Sequence, residues 1–370
     1  MLISIRDLIE KVLRKRKDED ASSTTPTPVE YESMAEVLRQ GKAEFERKWQ
    51  LKMSSSIRLS DMEICKTLGF GKFGRVILVR LLSRQNAYAA TKVMNKRVIL
   101  AHSTVECVIF EKKILQATSF PFLVRYYDHF KDNANLYLVL EYVPGGDMFT
   151  HLRRANRFDD ASTRFYVAQI TLSLEYLHHL GIVHRDLKPE NLMVGVDGFL
   201  KIADFGLAKR IGVRGKTSTK CGTKVYMAPE LLAMRRVYYS FDVDWWALGV
   251  MTYEMTVGRM PFEASHPMEM LYKINRRQIR YPAYMNENTV RLVHGLLEPN
   301  LKYRLVSTQQ VKAHPYFQKT NWMQLYYKKV RPPFVPVVRS ARDTNNFDPI
   351  SDEPIEEWSE DVFAKEFEDF

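Results

Sequence analysis

Asp186, Asn191 and Asp204, two acids and an amide, stand at the spacing that phosphoryl transfer requires. His184-Arg185-Asp186-Leu187-Lys188-Pro189-Glu190-Asn191 is followed, thirteen residues after Asn191, by Asp204-Phe205-Gly206. In such a site Asp186 would accept the hydroxyl proton of a substrate, Asn191 and Asp204 would hold magnesium, and Lys188 would steady the transferred group. The His-Arg-Asp triplet alone means little, because its acid could as well cap a nearby helix. Three metal or proton ligands recurring in register carry the reading.

Such ligands need a phosphate cradle, and Gly69-Phe70-Gly71-Lys72-Phe73-Gly74-Arg75-Val76 offers one between two apolar runs, Ile64 to Leu68 and Val76 to Leu82. The same glycine spacing opens dinucleotide-binding units, but there a helix follows the third glycine. Here Val76-Ile77-Leu78-Val79 is β-branched and strand-like, so the spacing predicts a hairpin. Gly69, Gly71 and Gly74 let backbone amides approach phosphate oxygens without a Cβ in the way, and Phe73 would shield the tip from water.

Ala87 to Met94 reads as the next strand, with Lys92 among small residues where an unpaired ammonium is costly. Two anionic partners are available, the phosphates of a nucleotide and Glu111, which lies on a helix signalled by Val105, Val108, Ile109 and Leu115. The alternative for Lys92 alone is a strand lysine reaching to solvent.

The frame around these residues is large. A chain of 370 residues exceeds one average domain and suits two lobes sharing a cleft, and 45% apolar residues can build a sizeable core. Cys65, Cys107 and Cys221 have no disulfide or metal spacing, and no apolar run of about 18 residues is present. A reducing, cytoplasmic setting is therefore expected, with the nucleus a further compartment open to the chain. The net charge of +11 combines a basic body with an acidic end, since residues 348–370 hold ten acids against Lys365 alone. No nucleic-acid module accompanies the basic body, so it reads as a solvated surface and nucleic acid is not an expected partner.

On these motifs the chain resembles a eukaryotic protein kinase of the AGC group, most specifically the catalytic subunits of the cAMP-dependent kinases. Glu141-Tyr142-Val143 resembles the hinge, Ala228-Pro229-Glu230 the end of the activation segment with Arg304 as partner of Glu230, and Asp242-Val243-Asp244-Trp245-Trp246 the start of a buried helix. The resemblance implies an α+β, two-lobed fold: a small antiparallel β-sheet lobe with a regulatory helix and a larger, mainly α-helical lobe. Residues 34–60 would form an amino-terminal helix, with Met34, Leu38, Phe45 and Trp49 on one face, and a lead-in. The kinase domain would span 61–317, divided into a small lobe (61–140), a hinge (141–146) and a large lobe (147–317). Residues 318–370 resemble the AGC tail, through Pro332-Pro333-Phe334-Val335-Pro336, Asn346-Phe347-Asp348 and the terminal Phe367-Glu368-Asp369-Phe370, whose phenylalanines would brace the helix of Glu111.

The implied activity is transfer of the γ-phosphate of ATP, with Mg2+, to serine or threonine in arginine-rich peptides. Adenine would lie between Leu68, Val76, Ala90 and a floor near Met193, its edge on the backbone of Glu141 and Val143, with Leu140 behind. Lys188 resembles the serine/threonine-kinase catalytic loop, and Thr223 would help to hold Asp186 and Lys188. Thr219 matches the activating phosphothreonine, with Arg185 and Lys209 to pair its charge. Asp147, Glu190 and Glu254 match carboxylates that bind arginines two and three residues before the acceptor; otherwise Asp147 is a helix cap and Glu254 a solvated helix residue. The alternative to an enzyme is a catalytically silent kinase fold serving as a scaffold.

Several positions depart from the pattern. Cys107 replaces a phosphate-contacting histidine. Lys220, Lys224 and Val225 replace Leu, Pro and Glu of the substrate loop, which predicts weaker preference for a large apolar residue after the acceptor and better tolerance of an acidic one. Ser218 replaces a tryptophan that contacts the regulatory subunit, and Arg235-Arg236-Val237-Tyr238-Tyr239-Ser240 is about two residues longer than its counterpart, as is the segment between Asp204 and Thr219. A cAMP-binding regulatory subunit is thus an implied partner whose contact surface is altered. Ile350 replaces a tyrosine, and Trp358 falls on a phosphoserine position with Ser359 one place later. Residues 1–33 lie outside the resemblance. Ile5, Leu8, Ile9 and Val12 form a stripe ahead of Arg14-Lys15-Arg16-Lys17 and a Ser/Thr/Pro-rich linker. That stripe is either a helix making weak membrane-surface or partner contact through residues 1–17 or a disordered extension. With Leu2 where glycine is required, no myristoylation is expected.

Overall fold

The computed structural model describes residues 32–370 apart from 83–84 and 234–235, so the stripe and the linker expected near the amino terminus lie outside the described residues. The first described helix, α1 (Met34–Trp49), is capped by Ser33, whose hydroxyl accepts from the Glu36 amide, and buries Val37 and Phe45.

The small lobe is a five-stranded antiparallel sheet of β1 (Met62–Gly71), β2 (Gly74–Leu81), β3 (Ala87–Asn95), β4 (Tyr126–Lys131) and β5 (Asn135–Glu141), in the order β1-β2-β3-β5-β4. In β5 every residue but Glu141 is buried, as a strand covered on both faces requires. The expected hairpin is present: Phe70 pairs with Arg75 and Gly71 with Gly74 across the turn. Helix α2 (Lys96–Ala101) follows β3, and α3 (Val105–Ala117) crosses the sheet with Val108, Glu111, Ile114 and Leu115 buried. The Trp49 ring of α1 meets Phe110 of α3 edge-on at 5.5 Å.

The large lobe is built on α5 (Asp160–His179), which follows α4 (Met148–Ala155), and on α7 (Asp242–Val257), which follows the single turn α6 (Pro229–Leu232). Helix α7 is apolar nearly all round and almost wholly buried, which marks it as the centre of the lobe. The peripheral helices are α8 (Pro267–Asn275), α9 (Glu287–Leu296), α10 (Thr308–Lys312) and α11 (Trp322–Tyr326). Two short ribbons sit beneath the cleft: β6 (Ile182–Val183) with β9 (Lys209–Arg210), and β7 (Leu192–Val194) with β8 (Leu200–Ile202). One continuous core runs from Phe45 and Val108 through Leu123 and Phe205 to Trp245 and Leu292, so the lobes share their packing.

The tail returns across both lobes. Phe334 packs against His151, Phe158 and Tyr166 of the large lobe. Phe367 is fully buried on the small lobe and Phe370 nearly so, while Lys112 of α3 donates to the Asp369 carbonyl at 2.8 Å. Trp358 lies under the Arg97 guanidinium at 4.8 Å, and Asn133 donates to the Trp358 carbonyl at 2.9 Å. Among the described residues no helix is long and apolar enough to cross a membrane.

Candidate active site

The catalytic loop is held from below by Asp244, at the start of α7. Its carboxylate accepts the amides of His184 (2.9 Å) and Arg185 (2.8 Å) and the Nε2 of His178 (2.8 Å). Burial alone would raise this carboxyl, but the His178 contact and the backbone donors hold it below its ordinary value, so the loop rests on a fixed negative charge. Arg185 then adopts a left-handed φ of 71°, which turns the chain so that Asp186 faces the cleft network.

Asp186 is the hub of that network. Its Oδ1 accepts the Thr223 hydroxyl (2.8 Å) and amide (2.9 Å), and its Oδ2 pairs with Lys188 at 2.8 Å. Lys188 also donates to the Thr223 hydroxyl at 2.9 Å. Asn191 donates to the Asp186 carbonyl at 2.8 Å and more weakly to its carboxylate at 3.3 Å. The structure thus brings together Asp186, Lys188, Asn191 and Thr223 as read from the sequence.

Lys92 sits on β3 opposite Val76 on one side and Leu138 on the other. Its ammonium donates to Glu111 of α3 at 2.7 Å and to Asp204 at 3.2 Å. Burial works against this charge, but the two carboxylates outweigh it and raise the ammonium above its ordinary value. Burial likewise raises Glu111, with Asp204 adding repulsion and Lys92 opposing. Asp204, whose side chain is 45% exposed, is pulled the other way, well below the carboxylate range, chiefly by Lys92. Gly206 permits this closeness, because a Cβ there would stand 3.2 Å from Asp204 Oδ1 and 3.4 Å from Glu111 Oε2.

Above the site, Gly74 is obligatory: a Cβ would lie 2.0 Å from the Val93 carbonyl. At Gly69 no atom lies within 4 Å of where a Cβ would be, leaving the backbone open to a ligand. The Phe73 ring packs on His102 at 6.0 Å, so it is seated against the small lobe as well as covering the turn. Leu68, Val76 and Ala90 belong to one apolar cluster, and Leu140, Glu141, Val143 and Met193 follow along the hinge and β7. Sequence reading placed Tyr142 in the hinge and Phe347 in the tail without bringing them together; both belong to that cluster, their rings stacking at 5.8 Å, with the Tyr142 hydroxyl donating to the Asp343 carbonyl at 2.5 Å. It also missed Asp352, which accepts the Thr67 amide at 2.6 Å beside a register shift in β1. Neither contact shows as a local pattern, since each joins the tail to a residue about 200 or more positions earlier.

Thr219 is exposed, and its carbonyl accepts the Tyr239 hydroxyl, to which Arg185 donates at 3.2 Å. Lys209, however, reaches the Thr217 hydroxyl at 3.3 Å and not Thr219. Two residues of lateral offset separate the cation from its expected partner, because Thr217 is held in a β-bridge with Tyr239 beneath it. Of the three acids expected to meet substrate arginines, Asp147 caps α4, accepting the Thr150 amide at 2.8 Å. Glu190 is exposed. Glu254 is buried, not solvated, and accepts the Tyr226 hydroxyl at 2.7 Å. Burial pushes the Glu254 carboxyl up to about 6; the charge of nearby Glu190 adds to the rise and Tyr226 opposes it.

Comparisons agree with this geometry. A family model described as the protein kinase domain matches residues 62–317. A cAMP-dependent protein kinase catalytic subunit-like protein of Caenorhabditis elegans is 42% identical over 79% of this chain and 73% of its own length. A RAC family serine/threonine-protein kinase homologue of Dictyostelium discoideum is 39% identical over 81% of this chain and 68% of its own. Human protein kinase C eta is 38% identical over 87% of this chain, which spans about half (48%) of that relative.

Proposed function

The chain belongs to the protein kinase domain family, and on that premise we propose that Lys92, Asp186, Asn191 and Asp204 are its working centre and that it acts on hydroxyls in arginine-rich sequence. It is a serine/threonine protein kinase, related to cAMP-dependent, RAC and C-type kinases. Kinases of this family use ATP and magnesium and act on protein substrates. The observation that carries the assignment is the meeting of Lys92, Glu111 and Asp204, from a strand, a helix and a loop, beside an Asp186 already bonded to Thr223 and Lys188.

The donors fit magnesium. Asp204 offers a partly exposed carboxylate kept ionised by Lys92, and Asn191 spends its amide hydrogens on Asp186, so its Oδ1 takes no hydrogen bond among the described residues. Two hard oxygen ligands completed by substrate phosphates are the usual protein share of such a site. When bound, the ion would neutralise charge on the phosphates. The remaining work falls to the chain. Lys92 binds the α- and β-phosphates, Lys188 the transferred group, and Asp186 takes the proton as the substrate oxygen bonds to phosphorus and the bond to ADP breaks. Alignment of this kind can supply about 7–11 kcal/mol of barrier reduction.

Glu254 and Glu190 support the arginine reading, since two neighbouring carboxylates, one buried, favour a cation between them. Exposed Lys224 and Val225 beside Thr223 support tolerance of an acid after the acceptor. The altered Ser218 leaves a regulatory subunit as a partner to be tested by direct binding, and three free thiols accord with the reducing, cytoplasmic setting we infer.

The substrate reading has a pH signature. Glu254 must be ionised to hold an arginine, so the KM for an arginine-rich serine peptide should rise as pH falls from 7.5 through about 6. In Glu254→Gln the KM should be about tenfold higher or more at pH 7.5, the loss of a charge-assisted hydrogen bond, and should lack that step. Parallel KM profiles for both proteins would remove Glu254 from peptide recognition.

A further inference from the structure

Ser218 and the segment from Arg236 to Ser240, both set apart in the sequence as departures from the family resemblance, meet in space. Thr217 and Tyr239 exchange backbone hydrogen bonds of 3.0 and 2.9 Å, drawing the activation segment alongside that loop. Lys220 donates to the Ala233 carbonyl, and Ser240 to the Gly215 carbonyl at 3.1 Å, so bonds flank the seam on both sides. Between them the Arg236 Nε donates to the Ser218 hydroxyl at 2.8 Å. The guanidinium lies over the Tyr238 ring at 5.6 Å, Arg236 is exposed, and no carboxylate is paired with it among the described residues.

We propose that Ser218 is a phosphoacceptor and that Arg236 holds its phosphate. A guanidinium already bonded to the serine oxygen, with further N–H donors and no acid paired with it among the described residues, matches what a phosphoserine requires. Thr217 is buried and Lys209 already donates to its hydroxyl, whereas Ser218 is only half-buried. In the transfer, the Ser218 oxygen bonds to the γ-phosphorus of ATP, the bridge to the β-phosphate breaks, ADP leaves, and the hydroxyl proton passes to the carboxylate base of the phosphorylating kinase. The Ser218–Arg236 bond, charged on the donor side alone, becomes a two-pronged ion pair. It clamps Ser218, five residues before Thr223 in the chain, to Arg236. Transfer by a second copy of this chain rests on the kinase reading above; docking of the phosphate on Arg236 does not.

The test separates the two. With phosphoserine encoded at position 218 in the full chain, Tm should rise by about 2 °C or more over the unmodified protein. Arg236→Ala should abolish that rise, and Arg236→Lys should restore only part of it. No rise, or a full rise in Arg236→Ala, overturns the docking. Phosphopeptide mapping of the chain expressed in eukaryotic cells should find phosphate on Ser218. Its presence in wild type but not in Asp204→Ala identifies self-transfer, and its presence in both identifies another kinase; either supports the site. Its absence from both overturns it. Transfer to an arginine-rich peptide, measured in parallel, reports separately on the kinase reading.

Discussion

Asp186→Asn should lower kcat for peptide phosphorylation by about 10²–10⁴ while leaving Tm and the KM for ATP close to wild type. The substitution keeps the side chain's size and one oxygen for Thr223, whose hydroxyl and amide both bond Asp186 Oδ1. What it removes is the carboxylate that accepts the substrate proton. Proton transfer matters only as the acceptor oxygen attacks, so the loss should fall on kcat and not on ground-state binding. Stopped single-turnover assays with saturating ATP would read this directly. A kcat within a few-fold of wild type would leave Asp186 as a structural hub alone, a role its contacts with Lys188 and Asn191 could also fill.

Arg304→Ala should destabilise the protein by about 3–5 kcal/mol, the cost of breaking one side of a buried ion pair. The Arg304 side chain is fully buried and forks onto Glu230 with contacts of 2.7 and 3.0 Å. It also donates to the Glu298 carbonyl at 2.7 Å and lies over the Trp246 ring at 4.9 Å. Removal strands the Glu230 carboxylate, leaves that carbonyl unsatisfied and opens a void against Trp246. Because Glu230 closes the activation segment, part of the damage should appear there, as faster proteolysis between Lys216 and Lys224. A thermal shift below about 1 °C would show that the pair contributes nothing net.

The contrast between these two sites shows what was legible in the sequence. Asp186, Lys188 and Asn191 were readable because five residues of chain fix their mutual positions, and Lys92 because a lysine in a strand of small residues needs a partner. The Arg304–Glu230 pair, 74 residues apart, was reached only through family resemblance. Neither the packing of Phe347 beside Leu68, Val76 and Ala90 nor the bond of Asp352 to β1 was read from the sequence. Asp352 meets Thr67 across 285 residues, and nothing in an acidic tail marks one carboxylate among ten for a backbone amide at a strand irregularity. Asp244 was visible as the start of a buried helix, but the three bonds it accepts, from the His184 and Arg185 amides and from His178 of α5, depend on how α7 packs against α5. Lys209 was set beside Thr219 through the family resemblance alone; in the unmodified chain its ammonium donates to the Thr217 hydroxyl, which the bridge to Tyr239 holds in place. Asp147 shows the opposite case, in which the local reading as a helix cap is what the geometry records.

The central claim is that Asp204, with Lys92 and Asn191, organises metal-bound ATP opposite Asp186. Its most direct test is transfer of labelled phosphate from ATP and Mg2+ to an arginine-rich serine peptide by the wild-type chain and by Asp204→Ala, each checked for an unchanged Tm. The account predicts steady transfer by the wild type and a loss of about 10³-fold or more in the variant. Equal rates in the two folded proteins would contradict it.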